Sequence, residues 1–106
     1  MATPVQGLAV QTSATPGTPV NAIDVNQAGG FVVNPVTAVD QGQAPTATPA
    51  ILYVNQVSAA TLAANGTTVA LQPGQSFTLI PFTTTPLSVA SSIASHQFTA
   101  VSWATA

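Results

Sequence analysis

The sequence contains almost no ionic side chains. Among its 106 residues there is no Lys, Arg or Glu, and the only acidic side chains belong to Asp24 and Asp40. Proteins bind nucleic acid largely through Lys and Arg residues that neutralise phosphates, and they recognise anionic membrane surfaces through the same residues. We therefore expect a protein that binds neither nucleic acid nor membranes.

Cysteine and long apolar runs are missing as well, and we expect no secretory signal. Without cysteine, neither a disulfide framework nor a thiolate metal site can form. No stretch contains the roughly 18 consecutive apolar residues that a membrane-spanning helix requires. The first residues, Met1–Pro4, have neither the basic segment nor the apolar segment of a secretory signal. We expect a protein that is made in a cytoplasm and stays soluble or assembles there.

The chain is instead rich in apolar and neutral polar residues. Hydrophobic residues make up 46% of it, charged residues only 2%, and its mean hydropathy is +0.44. A soluble domain typically carries about a quarter charged residues, and near-neutral surfaces associate readily. The length suits one domain with a modest core. The composition therefore predicts a domain that is packed into an assembly.

The N-terminal segment differs from the rest of the chain. Residues 1–19 are rich in Pro, Thr and Ala, and they have too few large side chains to form a core. This segment is predicted to be an extended arm, followed by a β-sandwich domain at 20–106. Neighbouring subunits are the first candidates for holding such an arm in place, and its own domain is the alternative.

From residue 20 onward, short β-forming segments alternate with turn residues at intervals of about eight to twelve residues. The expected strands are 20–25, 31–33, 36–39, 51–57, 67–71, 77–80, 87–90 and 97–103. This spacing predicts an all-β fold, a small antiparallel β-sandwich or barrel of about six to eight strands.

Several turns can be placed between these strands. Gly29-Gly30 is predicted to be a turn, and Asn65-Gly66 is a strong hairpin dipeptide because both residues tolerate positive φ. Gln72–Gln75 has Pro and Gly at its two central positions, as a type II turn prefers. The short connection Thr61–Ala64 could form one helical turn.

The titratable residues do not form a recognisable catalytic or metal-binding motif. Asp24, Asp40 and His96 are the only candidates for acid–base work or metal ligation, and they are widely spaced in the sequence. No G-x-S-x-G nucleophile elbow is present. We expect no enzyme, no metal and no cofactor, and we interpret these residues as two loop or turn aspartates and a surface histidine.

Large apolar side chains outside a core are the remaining candidates for function. Most of the six aromatic residues are expected in the core, because a small sandwich needs its large side chains inside. Phe82, next to Pro81 and a Thr-rich bend, and Trp103, near the C-terminus, are the aromatic interface candidates. The predicted interface residues are Pro4, Val5, Leu8, Val10, Phe82 and Trp103.

Several segments resemble small virion proteins of tailed bacteriophages that decorate or cement the icosahedral head. The resemblance covers about residues 26–103, in the runs NQAGGFVVNPVTAVDQGQAP, LYVNQV, NGTTVALQPGQSFTLIP, TPLSVAS and HQFTAVSW. It is one of style, an extended arm with short strands and Gly/Pro turns, and it brings no catalytic signature with it.

The resemblance implies a protein on the outer capsid surface that bridges coat-protein subunits. Its implied partners are the major capsid protein and copies of itself, as a homotrimer. Two other functions remain open, namely a receptor-binding or fibre module of the virion and a surface or sheath protein that polymerises by itself.

Overall fold

The computed structural model describes residues 2–7, 9, 11–35, 50–64 and 66–105. These residues form eight strands and no helix. The strands are β1 Ala2–Gln6, β2 Val20–Ile23, β3 Gly29–Val33, β4 Leu52–Asn55, β5 Val69–Leu71, β6 Ser76–Thr78, β7 Leu87–Ala90 and β8 Thr99–Thr105. The prediction of an all-β fold is confirmed.

The strands form two antiparallel four-stranded sheets, with the orders β1-β8-β3-β6 and β2-β7-β4-β5. The pairs β1·β8, β2·β7, β3·β6 and β4·β5 are those of one long hairpin that closes between β4 and β5. The pairs β3·β8 and β4·β7 then join the rolled hairpin into two sheets. This is the topology of an eight-stranded jelly roll, one of the sandwich architectures.

One hydrophobic core fills the space between the sheets. Its largest fully buried side chains include Ile23, Leu52, Val54, Leu87 and Val89 from one sheet, with Val32 from the other. Inward and outward positions alternate along a strand, so every second residue of β3 and β4 reaches this core. Burial of such side chains, at about 25 cal/mol per Å², is the main stabilising contribution in a chain almost without ionic groups.

Strand β7 is buried on both faces, unlike a strand with one face in water. All four of its residues are buried. Its outer face is covered by the connection between β4 and β5, where the buried Ala60 donates its N–H to Ser88 Oγ at 3.0 Å. The serine hydroxyl on this otherwise apolar strand is thus used to hold the covering loop.

The predicted turn at Gln72–Gln75 is confirmed. Gly74 has φ +91°, and Gln75 donates its N–H to Gln72 C=O at 3.0 Å, as a type II turn requires. Gly66 also has positive φ, at +57°, which suits the predicted hairpin turn, although Asn65 itself lies outside the described residues.

Two other local predictions are wrong. Gly29 and Gly30 do not form a turn but begin strand β3. Their lack of a side chain serves close packing, because a Cβ on Gly29 would lie 2.6 Å from the Trp103 indole. Residues 62–64 form bends, and there is no helical turn within 61–64. The strand predicted at 36–39 lies outside the described residues.

The predicted arm includes a strand of the sandwich. Ala2–Gln6 pair with β8, and Pro4 lies opposite Trp103. The chain continues beside β8, since Gly7 donates its N–H to Ala100 C=O at 2.8 Å and Gln11 forms a bridge with Gln97. Of the two alternatives for the arm, the described residues follow the one in which it lies along its own domain.

Candidate functional site: an apolar loop surface

The exposed large apolar side chains are concentrated in two connections. Among the described residues there are five, and they lie in the β4–β5 connection, at the first residue of β5 and in the β6–β7 connection. They are Val57 (62% exposed), Leu62 (43%), Val69 (42%), Ile80 (55%) and Phe82 (62%). In the rolled hairpin the β2–β3, β4–β5 and β6–β7 connections begin at the same end of the sandwich.

Gln56 joins two of these exposed residues. Its side-chain Oε1 accepts a hydrogen bond from Ile80 N–H, and its Nε2 donates to Ile80 C=O, both at 2.8 Å. The buried amide therefore pairs with the Ile80 backbone as a neighbouring strand would. Val57 is the next residue in the chain, so it directly follows the residue that holds Ile80.

Asn55 fixes the start of the same connection. Its buried side-chain Oδ1 accepts hydrogen bonds from Val57 N–H at 2.7 Å and Ser58 N–H at 2.8 Å. Its Nδ2 donates to Thr67 Oγ1 at 2.8 Å and Thr68 Oγ1 at 2.9 Å, which ties the beginning of the loop to its end. The exposed Val57 is thus held by a satisfied polar network.

Phe82 is displayed by an unusual backbone conformation. Its φ is +59°, in the left-handed region that residues other than Gly and Asn seldom adopt, and the residue is 62% exposed. The turn is fixed by the β2–β3 connection, because Phe82 donates its N–H to Gln27 C=O at 2.8 Å and Asn26 donates to Thr83 C=O at 3.0 Å. A strained residue that exposes an aromatic ring is an indication of function. We call Val57, Ile80 and Phe82 the apolar loop surface.

Trp103 lies near the same connection. It accepts a hydrogen bond at its C=O from Ala28 N–H at 2.8 Å, and its half-buried indole packs over Gly29. Phe82 and Trp103 are therefore attached to neighbouring residues of the β2–β3 connection, although they are 21 positions apart in the sequence. Packing on Gly29 accounts for part of the role of Trp103.

The other predicted interface residues have different positions. Pro4 and Val5 lie in β1, opposite Trp103 and Ser102 of β8. Leu8 and Val10 lie outside the described residues. These four residues remain interface predictions.

The three titratable residues are not assembled into a site by the described part of the chain. Asp24 is exposed at the end of β2, where its carboxylate accepts a hydrogen bond from Val25 N–H at 2.8 Å. His96 is buried, so the prediction of a surface histidine is wrong. Asp40 lies outside the described residues. Within the described ranges there is no group of three potential metal ligands, and no helix that is long and apolar enough to cross a membrane.

A shallow cleft of about 320 Å³ lies on the outer face of the β2-β7-β4-β5 sheet. The side chain of Tyr53 lines it, together with Gln72 and Pro73 from the turn after β5 and Ser92 and Ile93 after β7. Its lining combines an aromatic ring with neutral polar groups.

Comparisons of the chain with protein families, with curated proteins and with solved structures give no significant match. Function must therefore be argued from the surfaces of the chain itself. Sequence reasoning identified Phe82 but missed Val57, Ile80 and the amides that hold them. The available signal was the pair Asn55-Gln56, two amides that directly follow the β-forming run Ile51–Val54.

Proposed function

We propose that this protein is a structural virion protein that decorates or cements a bacteriophage capsid by bridging coat-protein subunits. The observation that carries the proposal is the apolar loop surface on a domain almost without charge. Association by such a surface depends on apolar burial and shape, since salt bridges with Lys or Arg of this chain are impossible.

The fold is compatible with this role. Eight-stranded jelly rolls occur in viral capsid domains, and they also occur in lectins and cupins. The topology therefore supports a virion protein only together with the composition and the exposed surface.

The proposed mechanism is burial of the apolar loop surface against the coat. A strained and hydrogen-bonded loop presents Phe82 in a fixed orientation, so little conformational entropy is lost when the ring enters a pocket. Neighbouring copies of the protein, arranged as a trimer, would each place one such ring on the shell. Many weak sites then add up to a shell that resists internal pressure.

The test compares particles that carry the protein with particles that lack it, and measures the temperature at which heated particles release their DNA. We expect particles without the protein to rupture at a lower temperature, and purified wild-type protein to restore the original value. Particles that are equally robust without it would exclude the cement role.

A pair of variants tests whether the protein attaches to the particle through the apolar loop surface. Phe82→Ser should fail to restore the rupture temperature. Leu62→Ser removes another exposed apolar side chain, outside the apolar loop surface, and should restore it fully. If both variants restore the particle equally, attachment does not use Phe82.

The cleft beside Tyr53 favours a second candidate, a receptor-binding or fibre module. An aromatic ring with neighbouring amide and hydroxyl groups is a suitable floor for a neutral sugar. This function predicts binding in a glycan array that is lost in Tyr53→Ala, together with particles whose rupture temperature does not depend on the protein.

A further inference from the structure

A buried polar cluster lies at the end of the sandwich opposite the apolar loop surface. His96 is only 5% exposed, and its Nε2 lies 2.8 Å from Asn34 Oδ1. Asn34 is fully buried, and its Nδ2 donates to Ala50 C=O and Leu71 C=O, both at 2.8 Å.

These contacts determine which nitrogen of His96 carries the proton. Because Asn34 Nδ2 is used for two carbonyl oxygens, Asn34 Oδ1 faces the imidazole as an acceptor, and His96 Nε2 must be the donor. In the neutral imidazole Nδ1 is then the nitrogen without a proton. That atom is buried and has no hydrogen-bond partner among the described residues.

The backbones of the same two residues connect the loops of this end. His96 and Thr12 are joined twice, by Thr12 N–H to His96 C=O and by His96 N–H to Thr12 Oγ1, each at 2.8 Å. Asn34 accepts from Gly74 N–H and donates its own N–H to Gln75 C=O at 2.9 Å. The pair therefore ties together the β1–β2, β3–β4, β5–β6 and β7–β8 connections.

We propose that the His96–Asn34 pair is an acid-sensitive clasp, and that a proton taken up at His96 Nδ1 loosens this end of the sandwich. The new N–H would have no described acceptor, and the new charge would lie in a buried site. The β1–β2 connection, which is bound to His96 through Thr12, would be released first, while the opposite end stays folded.

The direction of the pH dependence follows from burial. Desolvation lowers the pKa of His96 below the ordinary 6.5. The unfolded chain therefore takes up a proton more readily than the folded chain, so stability is complete above about pH 6.5 and decreases as the pH falls toward the folded-state pKa. The described partners of His96, namely Thr12 and Asn34, are uncharged, and the carbonyls that Asn34 binds are neutral too.

Because the chain has so few ionisable side chains, the proton uptake of His96 can be tested almost by itself. Asp24, at the other end, and Asp40 are the only carboxylate side chains, so the double variant D24N/D40N leaves His96 as the only side chain expected to change its charge between about pH 7.5 and 5. In this background the unfolding equilibrium constant should rise as the pH is lowered from about 7.5 to 5, by at most tenfold per pH unit.

The matched control is His96→Gln in the same background. Glutamine can keep a donor at the Nε2 position for Asn34 Oδ1 but takes up no proton, so its unfolding constant should stay flat over this range. The chain termini contribute equally to both proteins. An equal pH response in the two proteins, or no response in the parent, would overturn the proposal.

Two local measurements keep the proposal testable if the glutamine variant does not fold. Nitrogen chemical shifts of the His96 ring should show the Nε2–H tautomer, with a midpoint below pH 6.5. The protection factors for amide hydrogen exchange at Thr12 and His96, which correct for the slower intrinsic exchange in acid, should fall more than the protection factor at Ile80 as the pH is lowered. A midpoint at or above 6.5, or an equal loss of protection at both ends, would contradict the clasp.

Discussion

Phe82 allows the stability of the fold to be separated from its attachment to a partner. The perturbation is a pair of variants, Phe82→Ala and Phe82→Gly. Both remove the exposed ring, but only glycine relieves the backbone at φ +59°, where a side chain costs roughly 1–2 kcal/mol. Glycine also loses about 0.5–1 kcal/mol through the greater entropy of its unfolded chain. The glycine variant should therefore be more stable than the alanine variant by about 0.5–1 kcal/mol.

The effect on attachment should be the same in both variants. Phe82 is 62% exposed, which leaves roughly 100 Å² of apolar surface to bury in a partner, or about 2.5 kcal/mol at 25 cal/mol per Å². Loss of that amount weakens binding by roughly fifty- to hundredfold per site.

The assays are thermal unfolding of the purified protein and binding to shells from which the protein has been removed. A difference of about 0.5–1 kcal/mol raises the melting temperature of the glycine variant by roughly 2–8 °C over the alanine variant. A glycine variant that melts below the alanine variant, as the entropy of its unfolded chain alone would make it, would show that residue 82 is not strained. Wild-type affinity in both variants would show that the ring is not buried in the partner.

Three further changes test other contacts of the fold. Gln56→Leu should lower the free energy of unfolding by about 1–3 kcal/mol, because Ile80 N–H and C=O lose their side-chain partners. Gln56→Glu should also lower it at neutral pH, because a buried carboxylate oxygen would replace the Nε2 donor that faces Ile80 C=O. Urea unfolding would measure both, and an unchanged value in the leucine variant would contradict the pairing. Gly29→Ala should lower the free energy of unfolding by about 1–3 kcal/mol and shift the fluorescence of Trp103, the only tryptophan. An unchanged emission would mean that the indole does not pack on Gly29. Leu52→Ala should lower the free energy of unfolding by about 2–5 kcal/mol in the same urea experiment, and a decrease of less than about 1 kcal/mol would argue against the full burial of Leu52.

The local elements of this fold could be predicted from sequence because their signals are local. The run Leu52–Val54 is β-forming, and Pro73-Gly74 specifies its own turn type. The turn predicted at Gly29-Gly30 is wrong because glycine serves either a turn with positive φ or close packing in a strand. Only the position of Trp103, which is distant in the sequence, decides between the two.

The pairing of strands and the buried polar residues could not be predicted in this way. Ala2 pairs with Thr105, at the far end of the chain, and nothing local encodes that contact. The polar loop around His96 predicts a surface position, whereas its buried hydrogen-bond partner, Asn34, is 62 positions away in the sequence. The apolar loop surface could be predicted only in part for the same reason. Phe82 stands out in the sequence, but its exposed position depends on a backbone hydrogen bond to Gln27.

Whether this chain attaches through apolar contact can be tested by measuring its affinity for depleted shells as a function of salt. Between about 0.1 and 1 M salt the Debye length falls from roughly 10 to 3 Å, so attachment that relies on charge weakens severely. For a chain with no Lys or Arg and two carboxylates, we predict an affinity that stays constant or increases with salt. A steep decrease in affinity would contradict attachment by the apolar loop surface.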